Sequence, residues 1–177
     1  MSIETPGWYY AEGDPAETKR YWNGVSWSEE VVGGNVLLPR FFARFIDGLV
    51  TGVLLFLIAW AASIDVDSIN TLAVVSVAIV AIYEIAFITL KGATPGKMLF
   101  GFKVVEIAGG QSPPSGSVAG MRFVPGLLQV IPFVGSLLYL VAVGISLFWL
   151  TRDPNRQTIF DRSGKTYVVR DVSRARF

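Results

Sequence analysis

The 177 residues carry 52% hydrophobic side chains, only 16% charged ones, a net charge of +1 and a mean hydropathy of +0.51. That balance is foreign to an ordinary soluble domain and leaves no basic footprint for nucleic acid. The absence of cysteine and histidine excludes disulfides, thiolate metal sites, an imidazole base and the commonest metal ligand, so no metal or other cofactor is expected.

In chain order, residues 6–30 read as a separate aromatic mini-domain. Trp8, Tyr9, Tyr10, Tyr21, Trp22 and Trp27 alternate with turn signals at Gly13-Asp14-Pro15 and Asn23-Gly24. The Asn-Gly pair between aromatic residues predicts a tight hairpin. Exposed aromatics would suit a peptide or the membrane interface, but a unit this small needs its tryptophans for a core. Residues 31–37, with Gly33-Gly34, are expected to be a linker, residues 38–170 a transmembrane domain and 171–177 a basic tail. No basic stretch followed by an apolar core precedes Leu38, so the first span is expected to direct insertion itself.

Leu38 to Ala62 predicts a membrane helix whose only charge from Phe45 onward is Asp47. At about 100° per residue, Arg40, Arg44, Asp47 and Thr51 fall in one narrow stripe. A carboxylate about 10 Å inside the membrane must pair or face a polar interior. Thr71 to Leu90 predicts a second span, interrupted by Glu84 and closed by Lys91. Glu84 lies about 10 Å along the helix from Lys91, at a depth similar to that of Asp47. Arg44, Asp47, Glu84, Arg122 and Gln129 are therefore expected to form one intramembrane polar layer, in which Asp47 faces Glu84. An Arg44–Asp47 pair or a static Glu84–arginine bridge would make the layer structural. A Glu84 that alternates between protonated and charged beside Asp47 would make it a proton-coupled cation site.

Lys91 to Pro114 is too rich in glycine and charge to span. Its β-branched run Phe102–Ile107 is expected to pair with Lys165–Val169 at the membrane surface. Lys97 and Lys103 are expected to face anionic headgroups, since Met98 after Lys97 breaks any P-loop pattern. As one helix, Val118–Leu150 would run about 50 Å, too long for a hydrocarbon core of about 30 Å. Pro125, Pro132 and Gly135 mark breaks, giving two short arms. The tail after Leu150 is basic, and the positive-inside rule puts it in the cytoplasm with Lys91, Lys97 and Lys103. The expected fold is an all-α membrane bundle of four helical segments, the last two short or partly re-entrant, with a small cytoplasmic β element. Both termini would be cytoplasmic, with Asp65 and Asp67 outside.

Three motifs follow one another here: Arg40-Phe-Phe-Ala43-Arg44-Phe-Ile-Asp47, Gly92-Ala-Thr-Pro-Gly96-Lys97-Met-Leu-Phe-Gly101, and Arg156-Gln-Thr158-Ile-Phe-Asp161-Arg162 with Gly164 and Thr166 after it. Together they resemble the RDD family of bacterial membrane proteins, named for an arginine and two aspartates that match Arg40, Asp47 and Asp161. Residues 6–30 are similar to a short tryptophan-rich module found at the N-termini of bacterial membrane proteins. The resemblance implies a multi-pass protein of the bacterial cell membrane with a role in transport. One departure is Phe160, where the family often has histidine, so a proton relay through that residue is absent. Two functions are open at this point. One is transport of a small cation with protons, or of a small solute, through a homo-oligomer or with other membrane subunits. The other is a non-catalytic accessory or docking subunit. Catalysis is not expected, because no nucleophile elbow or metal cluster is visible.

Overall fold

The computed structural model describes residues 5–63 and 69–172. The connection holding Asp65 and Asp67 and the tail from residue 173 lie outside them.

The N-terminal aromatic stretch forms β1 (Gly7–Tyr9), β2 (Thr18–Trp22) and β3 (Trp27–Gly33). The expected hairpin joins β2 to β3, with Asn23 Oδ1 accepting the Val25 and Ser26 N–H groups at 2.8 Å each. β3 continues through Val31, Val32 and Gly33, the residues expected to begin a linker. There it pairs antiparallel with β5 (Thr166–Asp171). The reason is burial: Val31 and Val32 are almost completely enclosed, and a linker would leave their apolar surface in water. β4 (Phe102–Glu106) pairs with the other edge of β5, as the sequence predicts, in a register that sets Phe102 opposite Arg170 and Glu106 opposite Thr166. The result is one five-stranded sheet in the order β1-β2-β3-β5-β4. Its aromatics pack among themselves and onto β5: Trp8 lies edge-on to Tyr167 at 5.2 Å, and Trp22 lies 5.2 Å from Trp27.

Among the described residues, three helices are long and apolar enough to cross a membrane: α1 (Leu37–Ala61), α2 (Ile69–Lys91) and, after the elements below, α5 (Val134–Arg152). Phe56, Trp60, Ile82 and Leu140 stand exposed on them, an outward apolar surface suited to lipid rather than water. After α2 the chain turns through Gly92 into α3 (Pro95–Leu99), where Pro95 takes the first helical position, suited to its fixed φ. Residues 118–150 break close to Pro132, as expected. α4 (Gly116–Phe123) gives way to a tighter 3-10 turn over Val124–Val130, because Pro125 has no N–H for an α-helical bond. A turn with Phe133 at φ 61° then starts α5. The third of the four expected segments is thus an eight-residue helix followed by a seven-residue 3-10 stretch. α6 (Ile159–Ser163) leads into β5. A core of Val36, Ile88, Phe102, Val104, Ala119, Leu150 and Val168 locks the sheet against the start of α1 and the ends of α2 and α5.

Candidate functional site: a charged cavity between the helices

Ala43, Asp47 and Thr51 form the buried line of α1, spaced four residues apart as a helix face requires. Asp47 accepts three hydrogen bonds: from Tyr83 Oη at 2.8 Å, Thr94 Oγ1 at 2.5 Å and the Gly96 N–H at 2.8 Å. The glycine-rich middle motif is therefore the receptor for the α1 carboxylate. Gly96 is required by closeness, since a Cβ there would run into the Ala43 carbonyl oxygen and come within 2.8 Å of Asp47 Cγ.

The last motif builds a second node. Thr158 caps α6: its Oγ1 accepts from the Asp161 N–H at 3.2 Å, and Asp161 Oδ2 accepts from the Thr158 N–H at 2.9 Å. Arg40 Nη1 reaches the same Oδ2 at 3.1 Å, while Arg122 Nη1 donates to Oδ1 at 2.6 Å and also to Thr166 Oγ1. Burial would raise the Asp161 carboxyl, but the Arg122 and Arg40 guanidinium groups and the Thr158 N–H hold it down at about 2. Arg40 also donates to the carbonyls of Arg156 and Val168, and Arg156 caps the last carbonyls of α5. The family arginine and the last family aspartate are thus direct partners across α1, α6 and β5.

Glu84 forms its own pair with Arg44, whose second amino group donates to Tyr139 Oη at 3.1 Å. The structure corrects the single expected layer. Asp47 and Glu84 do not face each other; Tyr83 faces Asp47, and Glu84, one residue on and about 100° around α2, faces Arg44. Arg122 leaves the layer for Asp161. Gln129 lies half-buried on the 3-10 stretch, with no hydrogen bond to this group among the described residues. Arg44 does not pair with Asp47 either. Lys103 sits on Glu30 at 2.6 Å, outside the bundle, rather than standing free for a headgroup. Lys97 lies beside the buried charges. Tyr83, Thr94 and Tyr139 were missed as partners, although Thr94 stands inside the quoted motif and Tyr83 next to Glu84.

Between α1 and α5 these groups surround a cavity of about 440 Å³. Its lining includes four cations (Arg40, Arg44, Lys97, Arg122) and two carboxylates (Glu84, Asp161), a charge of +2. Burial pushes the Lys97 ammonium down to about 8, against the opposing pull of Glu84. Its only hydrogen-bond acceptor among the described residues is Thr94 Oγ1 at 3.4 Å. Phe160, at the family's histidine position, lines the same cavity and packs against Tyr139 at 5.9 Å.

No curated protein and no solved structure matches the chain. A family model does: that of the RDD family, over residues 36–165, from the approach to α1 to the residue before β5. With the arginine and both aspartates engaged as described, this integral membrane protein belongs to the RDD family.

Proposed function

We propose that the chain is a non-catalytic carrier of the bacterial cell membrane whose cavity binds a small negatively charged solute. The excess of cations over carboxylates in the lining supports this reading. A small-cation site needs carboxylate oxygens with free coordination. Glu84 is held by Arg44, Asp161 by two arginines, and Asp47 by three donors. Because so few helices enclose little space, the working unit is a homo-oligomer or a complex with other membrane subunits.

Four membrane segments and cytoplasmic termini belong to the same proposal. One sheet carries strands from before α1, after α2 and after α5, which supports an even number of crossings. Residues 116–130 supply about 12 Å of α-helix and about 14 Å of 3-10 helix, close to the roughly 28 Å of α5. The chain has no native cysteine, so Ser63→Cys and Gly109→Cys report sidedness directly. An impermeant reagent should label Ser63→Cys from outside only and Gly109→Cys from inside only. Labelling from one common side would refute the topology.

Function is tested in reconstituted vesicles given gradients of anions from inorganic phosphate to octyl phosphate, and separately of sodium and potassium. At least one anion should move, and Lys97→Gln should slow it about tenfold by removing a charge-assisted contact. A pH-dependent cation flux lost in Glu84→Gln would replace the anion reading with cation/proton exchange. Absence of all flux, with other subunits copurifying from native membranes, would leave the accessory role.

A further inference from the structure

The cavity has two unlike sets of walls. One set is charged: Arg40, Arg44, Lys97 and Arg122 line the cavity, and its two carboxylates do not neutralise them. Counting Asp47, which lies behind the lining, the neighbourhood is still +1. The rest of the lining is apolar: Phe41 and Phe45 on one face of α1, and Leu140 and Leu147 on one face of α5. All four are exposed, so the cavity opens sideways between two helices that span the membrane. A water-soluble anion would have to shed its hydration against phenylalanine and leucine. An acyl chain would not.

We propose that this cavity holds an anionic phospholipid drawn laterally from the bilayer, with its phosphate at Lys97 and Arg44 and a chain leaving between Phe45 and Leu140. The proposal rests on the anion reading above and narrows it to a class of ligand. A volume of about 440 Å³ suits a small ligand, so it takes the headgroup and the chain nearest to it while the remaining chain stays in the bilayer. Arg44 already donates to Glu84 and Tyr139, but its guanidinium has five N–H donors, leaving some for a phosphate oxygen.

The test titrates the purified full chain in neutral detergent with short-chain phosphatidylglycerol, short-chain phosphatidylcholine and inorganic phosphate, read by calorimetry. Phosphatidylglycerol should bind at least about tenfold tighter than phosphatidylcholine, and inorganic phosphate should not displace it. Lys97→Gln should weaken binding about tenfold, whereas Lys103→Gln, whose ammonium sits on Glu30, should leave it unchanged. Leu140→Trp narrows the mouth without touching a charge and should also weaken phosphatidylglycerol. Because Leu140 is exposed, that variant keeps the test decisive if Lys97→Gln does not fold. If phosphate displaces the lipid and Leu140→Trp has no effect, the lipid assignment falls and the anion reading stands. If phosphatidylglycerol and phosphatidylcholine bind equally, both fall.

Discussion

Asp161→Asn should cost the folded protein about 3–5 kcal/mol, read as a lowered unfolding midpoint in detergent, because it leaves buried guanidinium groups without their counter-charge. The two arginines should not suffer equally. Arg40 keeps the carbonyls of Arg156 and Val168, whereas Arg122 keeps, among the described residues, only the Thr166 hydroxyl. Adding Arg122→Met to Asp161→Asn should therefore restore much of the loss, since it removes the stranded charge and fills the space with apolar atoms. Acid should mimic the single variant. The Asp161 carboxyl is held at about 2 against an ordinary 3.8, so its contribution is complete above about pH 4 and is lost as pH falls toward 2. The Asn variant should lack that limb of the acid-denaturation curve. A parent and variant with superimposable acid limbs would show that the clamp does not stabilise the fold.

The second large effect is expected from Gly96→Ala. A methyl group there overlaps the Ala43 carbonyl oxygen and crowds Asp47, so α3 must withdraw from α1. Withdrawal breaks the Gly96 N–H and Thr94 hydroxyl bonds to Asp47 and strands a carboxylate beside Tyr83. The strain of overpacking plus the lost acceptor contacts amounts to about 3 kcal/mol. Gly109→Ala, where the added carbon meets open space, is the control and should unfold with the parent. Equal midpoints for the two alanine variants would mean that α3 does not hold α1 through Asp47.

The parts of this fold that follow from local pattern were legible in the sequence. α1 and α2 announce themselves as long apolar runs, β4 and β5 as β-branched runs, and the break before α5 as Pro132. The Arg40–Asp161 partnership was legible as well, because the last motif returns Asp161 to the helix ends, where the boundary Arg40 is its natural partner. What failed was rotation. Depth along a helix axis follows from counting residues, but which side of α2 faces α1 depends on packing, and a single step around the helix separates Tyr83 from Glu84. Likewise Val31-Val32 is a short run beside two glycines, and nothing local to it indicates that its partner lies in β5.

The position of β5 between β3 and β4 bears on how the protein is made. Synthesis delivers β3 and β4 early, each with a bare edge, and the strand that closes both comes only after α5 has been inserted. Until then the nascent chain presents hydrogen-bonding templates that can recruit the wrong partner. Asp161 arrives in the same late stretch, so Arg40 and Arg122 also wait for their counter-charge. A ribosome halted just past α5 would therefore leave an inserted but unlatched bundle with two sticky margins and unneutralised arginines. Those are the features by which membrane quality control would recognise an unfinished copy.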